Sequence, residues 1–444
     1  MVAARHALAA AVALAGCSLV SDFTDSFTPN RFSGDPFPID VDTTTASGAI
    51  MVGMQLPGDN ERDAVLDVLS PLTIVDRGSA AEPSITTPDL TLLGESMPGG
   101  AFDLPRASFD ETQVVALHPC DPMMEPCEVG SPTSPRAFGA IVGMPTFASD
   151  SLRLHLDPAA PQIFVLAPIA GDSNHRSKLC DGVFPSPFQG GGTLLIGGTE
   201  VQFSAWRIAL DTCLAPDPTN PVASLRGTDA LLVASTGVGI SLVRTSAYAR
   251  YQLGHPTAPD PSTLPDDSVL LSSGLVSGKH VTIPSVALVA SSASNPRAPC
   301  TQTYLSHLLV PNNISKVGPP CPCGTINSTA TECNDFCPVP AVVELPTAID
   351  FLIVGDDDPT IQALSEELSP AQPQVDGILG ANALAHFELD VDYPTNGRLL
   401  ARCFAGDTSG QCSVRPELET QCERDDISPC LGWPVQPACT DPND

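Results

Sequence analysis

The sequence predicts an all-β protein, and three observations carry that expectation. Apolar residues come in short runs rich in Val, Ile, Leu and Thr rather than at helical spacing: AIMVGMQL, PLTIVDRGS, ETQVVALHP, GAIVGM and QIFVLAPI in the first half, then WRIALDTCL, ALLVASTGVGISLV, HVTIPSVALVA and TAIDFLIVG in the second. Such runs between turn signals read as strands. The 34 Gly and 46 Pro that punctuate them suit a turn-rich β protein and stay below the roughly 25–30% of disordered low-complexity chains. No long amphipathic helix pattern competes. With 444 residues and 42% hydrophobic content, the chain is long enough for two or three domains or one large all-β unit and can bury a substantial core.

The elements follow in chain order. Residues 1–16 carry one Arg, at position 5, and an apolar stretch from Ala7 to Ala15, too short to span the roughly 20-residue hydrocarbon core; they read as a signal peptide. Leu14-Ala15-Gly16-Cys17 resembles the lipobox of bacterial lipoproteins. That resemblance implies cleavage before Cys17, acylation of Cys17 and a membrane partner through the lipid. By the same resemblance, Ser18 after the Cys implies the outer membrane of a bacterial cell envelope rather than the inner. Residues 17–45 are polar and read as a tether. Residues 46–202 and 203–403 hold the two sets of strand-like runs. Residues 404–444 are acidic, carry four Cys and hardly any apolar run, and read as a small disulfide-stapled tail.

Charge and cysteine content set further bounds. Lys and Arg total 20 against 51 Asp and Glu, a net charge of −31, which excludes a nucleic-acid partner needing a basic surface. Of 15 Cys, the 14 besides Cys17 form an even set suited to seven disulfides in an oxidising compartment. Cys321, Cys323, Cys333 and Cys337 lack the paired spacing of zinc knuckles, and no metal or cofactor is expected. The serine-hydrolase elbow, the zinc-binding HExxH helix and the phosphate loop are all missing from the sequence.

A doubled pattern stands out. Ile50 to Gly58 reads as an opening strand and turn, followed by Thr73-Ile74-Val75-Asp76-Arg77-Gly78-Ser79 and later Phe138-Gly139-Ala140-Ile141-Val142-Gly143. In the second half, Leu231-Leu232-Val233-Ala234-Ser235-Thr236-Gly237 precedes Asp376-Gly377-Ile378-Leu379-Gly380 and a closing run through Phe387. In this order over residues 46–403, the chain resembles the pepsin-like aspartic proteases. In that family each of two lobes carries an apolar run ending in Asp-Thr-Gly, and a later apolar-apolar-Gly motif threads the loop made by the first. The resemblance implies a two-lobed architecture with Asp76 and Ser235 facing each other and Gly78, Thr236 and Gly237 beside them.

The departures matter chemically. Two carboxylates about 3 Å apart share one proton, so that one acts as base and the other as acid. Here Ser235 stands where the second Asp belongs, Arg77 replaces the bracing Thr, and no Tyr lies between residues 90 and 135 to serve as the flap aromatic. The expectation is therefore a catalytically silent protease relative, a pseudoprotease holding a peptide or protein ligand between its lobes or acting as a scaffold. Two alternatives stay open: an active aspartic endopeptidase built on Asp76 and a recruited carboxylate such as Asp229, or an unrelated structural or adhesion β-sandwich lipoprotein.

Overall fold

The computed structural model describes residues 37–39, 41–42, 48–79, 81–94, 106–109, 112–120, 124–147, 150–155, 162–166, 182–185, 192–196, 199–203, 207–216, 227–289, 300, 342–345, 347–367, 374–392 and 398–403. Among these residues strands dominate and helices are few and short. The all-β expectation holds. The longest helix, Thr245–Gly254, has ten residues, and Pro359–Glu367 has nine. Neither was legible as a helix, because each is about three turns long with little sustained apolar periodicity.

Three large sheets organise the chain. A nine-stranded sheet gathers the first-half strands from Val41–Asp42 to Ala140–Val142. An eleven-stranded sheet gathers those from Ala209–Leu214 to Gly377–Leu379. A six-stranded sheet draws on both halves: Phe37–Ile39, Gln162–Leu166 and Ser151–His155 pair on into Phe387–Asp392, Arg398–Cys403 and Gly182–Pro185. Two features cross the expected boundaries. The expected tether enters the fold, since Phe37–Ile39 pairs with Gln162–Leu166 and Ile39 is buried. The hairpin of Cys127–Ser131 and Ser134–Phe138 belongs to the first half by sequence, yet joins the second-half sheet through Gly130 opposite Leu270.

Each half repeats one unit in the same register. In the first, Ala140–Val142 runs parallel to Arg62–Leu66, with Ala140 opposite Ala64 and Val142 opposite Leu66, and antiparallel to Thr73–Val75 on its other side. In the second, Gly377–Leu379 runs parallel to Thr228–Ala234, with Gly377 opposite Leu232 and Leu379 opposite Ala234, and antiparallel to Ser241–Arg244. A late strand threaded between two early ones is the arrangement the family resemblance implies, and it occurs twice.

Strands flanked on both edges and covered on both faces have no solvated side, so they read as unbroken apolar runs instead of alternating ones. Ala230 to Ala234 is buried throughout. In the PLTIV run, Leu72, Thr73 and Val75 are buried while Pro71 and Ile74 are half-buried. One hydrophobic cluster joins both halves, from Met54, Leu66 and Leu90 through Leu152 to Tyr248, Phe351 and Phe387. Phe109 and Phe147 meet edge to face within it, with ring centroids 5.4 Å apart, the geometry aromatic quadrupoles favour. Two of the expected disulfides are seen, Cys120–Cys127 and Cys213–Cys300. Cys403 ends a described strand. Every other cysteine, including Cys17 and the Cys321–Cys337 group, lies outside the described residues, as do the signal peptide and the acidic tail.

Candidate functional site

The repeated register fixes which residues are counterparts. Leu66 and Ala234 are opposite Val142 and Leu379, the last residues of the two threaded strands. The next residues are Asp67 and Ser235, and their backbone N–H groups donate to Val142 O at 3.0 Å and to Leu379 O at 3.0 Å. Ser235 is therefore the counterpart of Asp67, not of Asp76. The side chains meet: Ser235 Oγ donates to Asp67 Oδ1 at 2.9 Å. Both are buried, Asp67 at 8% exposure and Ser235 at 0%.

The flanking residues explain how two loops from opposite halves are held this close. Thr236 Oγ1 donates to Leu66 O at 2.7 Å and accepts from Val68 N at 3.2 Å. One hydroxyl thus braces the backbone on either side of Asp67. Val68 occupies the matching position in the first half and has no hydroxyl to return the bond. The brace is one-sided. Ile50 N adds a backbone bond to Thr236 O at 3.1 Å. Gly237 N donates to Asp67 Oδ1 at 3.3 Å, and a Cβ on Gly237 would lie 2.8 Å from Asp67 Cγ. Only glycine lets the loop approach so near.

The electrostatics follow from burial. Loss of solvent around Asp67 pushes its carboxyl above the ordinary carboxylate value; bonds from Leu69 N–H, the Ser235 hydroxyl and Gly237 N–H, and the charge of Arg207, pull it partly back. Among the described residues, none of these groups is a second carboxylate. A lone carboxyl beside a hydroxyl can exchange its own proton, but it cannot divide acid and base duties as a proton-sharing pair does.

The expected meeting of Asp76 with Ser235 is corrected here. Asp76 N donates to Gly139 O at 2.9 Å, at the end of the threaded segment opposite to Asp67. Three residues of strand separate the two anchor points, about 10 Å at ~3.3 Å per residue. The register makes Arg244 the counterpart of Asp76, since Arg244 N donates to Asp376 O at 2.9 Å in the same way. Asp76 Oδ1 instead accepts from Gly78 N at 2.7 Å and pairs with His118 Nδ1 at 3.0 Å. Gly78 adopts φ +81° as the turn residue of that loop. Arg77 turns to Asp59, at 2.8 Å. Asp229 is no recruited partner either: it lies six residues before Ser235 on one strand, roughly 20 Å away by the same rise, and accepts from Cys300 N at 2.7 Å. Ser235, Thr236 and Gly237 bond to Asp67 and its neighbour Leu66; Asp76 and Gly78 lie at the other end of the threaded segment.

A signal for Asp67 was present in the sequence. Ala64-Val65-Leu66-Asp67 is an apolar run ending in Asp, aligned in register with Leu232-Val233-Ala234-Ser235. It is masked because Val68-Leu69 follow where Thr-Gly would, whereas the Asp76 segment keeps both Gly78 and Ser79.

The chain is similar in structure to an aspartic proteinase from Irpex lacteus, at 11% identity and a TM-score of 0.38, over 85% of this chain and 100% of the other. It is also similar to basic 7S globulin from soybean, at 12% identity and a TM-score of 0.39, over 83% of this chain and 95% of the other. No protein-family model and no curated protein matches the sequence. What assigns the two-lobed architecture is the repeated register of the threaded strands.

Proposed function

We propose that this protein is a catalytically silent relative of the pepsin-like aspartic proteases, exported and anchored to the bacterial envelope through an acylated Cys17, that binds a peptide or protein ligand at the junction of its lobes or serves there as a scaffold. One observation carries the silent reading: the group facing Asp67 across the junction is the Ser235 hydroxyl, at 2.9 Å. A hydroxyl does not ionise in the working range of a carboxylate, so among the described groups bonded to Asp67 none is a second acid or base. Members of a catalytic unit fail together rather than additively, so the remaining Asp67 does not rescue hydrolysis.

The experiment is incubation of the purified soluble domain with an unfolded protein substrate between pH 3 and 6, with and without pepstatin. The expected result is no pepstatin-sensitive cleavage. Cleavage that pepstatin blocks and Asp67→Asn abolishes would overturn the silent reading.

A further inference from the structure

Through His118, Asp76 borders a second cluster, remote from the Asp67–Ser235 contact. His118 Nε2 lies 3.2 Å from Cys120 Sγ, and His118 Nδ1 lies 3.7 Å from Cys127 Sγ. The three potential donor atoms of His118, Cys120 and Cys127 all fall within 4.8 Å of one another. The His118 side chain is 7% exposed, Cys127 is fully buried, and Cys120 is 9% exposed. The two sulfurs are bonded as a disulfide across seven residues of sequence, so neither can ligate an ion in that state.

We propose that reduction of the Cys120–Cys127 disulfide creates a binding site for a zinc-type divalent ion, with Cys120, Cys127 and His118 as ligands and Asp76 as the residue that positions His118. Two thiolates and an imidazole are the donor set such ions prefer. On a tetrahedral ion with metal–sulfur bonds of about 2.3 Å, two thiolates stand about 3.8 Å apart, a separation the pair reaches by side-chain rotation once the S–S bond is open. Asp76 supplies the outer support. With Nδ1–H donated to Asp76 Oδ1 at 3.0 Å, the imidazole keeps the lone pair on Nε2, the nitrogen turned to Cys120. A carboxylate behind a ligating histidine fixes tautomer and ring orientation in this way. Asp76 is itself fixed by the Gly78 N–H at 2.7 Å.

The chemistry balances with an external dithiol as reductant. The dithiol is oxidised to its own disulfide, and the Cys120–Cys127 bond takes up two electrons and two protons to give two thiols. Ion binding then displaces both thiol protons to solvent, so affinity rises with pH. In an oxidising compartment the disulfide is the resident form, and the ion is taken up only where reducing equivalents arrive.

The test uses the full folded chain, reduced anaerobically with a phosphine, freed of reductant and titrated with Co²⁺ and Zn²⁺. Other cysteines are also reduced, so the reading is a difference between proteins. The wild type is expected to hold one more equivalent of Zn²⁺ than either Cys120→Ser/Cys127→Ser or His118→Gln, and to show the visible bands of tetrahedral thiolate-bound Co²⁺ in proportion. His118→Gln keeps both cysteines, so binding by thiols alone would leave its stoichiometry unchanged. Asp76→Asn is expected to keep the stoichiometry and weaken affinity about 10–100-fold, with Asp76→Glu restoring part of it. Equal stoichiometry in wild type and both variants overturns the proposal, and so does a reduced wild type that binds no extra ion because it unfolds or its thiols re-pair.

Discussion

Asp67 and Ser235 occupy one register position in two copies of the same threaded-strand unit, and their side chains meet at 2.9 Å. The correspondence runs outward from that contact. The residue before each closes a parallel pairing, Leu66 with Val142 and Ala234 with Leu379. The residue after each is where the symmetry fails, because Thr236 braces the opposite loop and Val68 cannot. The first half supplies the buried carboxyl of this contact, and the second half supplies the hydroxyls that bond to it and brace its loop.

Asp67 gives the folded protein a signed pH dependence. Burial raises its carboxyl above the ordinary 3.8, so the folded state holds the proton more tightly than the unfolded chain. Its contribution to stability is therefore fully present below pH 3.8 and is lost as pH rises through the folded value. Asp67→Asn removes the ionisation and keeps an oxygen to accept from Leu69, Ser235 and Gly237. The variant is expected to match the wild type near pH 3.5 and to melt at progressively higher temperature than the wild type toward pH 7. Thermal melts across pH 3.5–8 check it; a gap between the two proteins that stays constant with pH would rule out desolvation as the dominant influence on Asp67.

Thr236→Val tests the brace without changing volume. The change strips the hydroxyl from Leu66 O and Val68 N, both at the buried lobe junction. Each buried backbone group left unpaired costs about 1–3 kcal/mol. A loss of roughly 2–4 kcal/mol follows, read as a lower urea midpoint at unchanged slope. Thr236→Ser keeps the hydroxyl and should lose about 1 kcal/mol, the value of one buried methyl.

Much of this architecture was legible because continuous apolar runs and apolar-apolar-Gly motifs report burial directly. ALLVA and GIL lie in the strands their composition implies. The residue opposite Ser235 was not legible. Choosing between Asp67 and Asp76 needs strand register, and register is set by tertiary pairing rather than by local composition. Gly78 and Ser79 make the Asp76 segment look like the family's catalytic loop, but Gly78 there serves a turn at φ +81°. The entry of Phe37–Ile39 into a sheet with Gln162–Leu166 was hidden for the same reason: three residues among Ser, Thr, Asp and Pro carry no periodicity of their own.

Anchoring is a separate expectation, resting on the Leu14-Ala15-Gly16-Cys17 sequence. Three acyl chains on Cys17, as the lipobox resemblance implies, would exceed the two-signal threshold for stable membrane attachment, and no described helix is long and apolar enough to cross a membrane. Wild-type protein expressed with its leader should partition into detergent with the membrane fraction, and Cys17→Ala should be released from it. Mass spectrometry of the mature N-terminus checks the modification; an unmodified Cys17 in membrane-bound protein would sink the lipid-anchor account.

Ser235→Asp puts a carboxylate where the hydroxyl meets Asp67. The oxygen it replaces lies 2.9 Å from Asp67 Oδ1, so the new pair falls at the distance where two carboxylates cannot both ionise and one proton is shared. In the unfolded chain the two groups are independent and both lose their protons by pH 6. The folded variant must therefore hold a proton that the unfolded chain releases, and its stability should drop more steeply with rising pH than that of the wild type. The expected result is a variant close to the wild type at pH 3.5 and clearly less stable at pH 7, with the loss reversed by acidification. The same protein, combined with Val68→Thr to return the missing brace, is expected to gain pepstatin-sensitive cleavage of an unfolded substrate at acid pH, where the pair is singly protonated. The stability measurement stands without turnover. A Ser235→Asp variant whose melting temperature tracks the wild type at every pH would mean that the two loops do not face each other, and the pairing of Asp67 with Ser235 would fall with it.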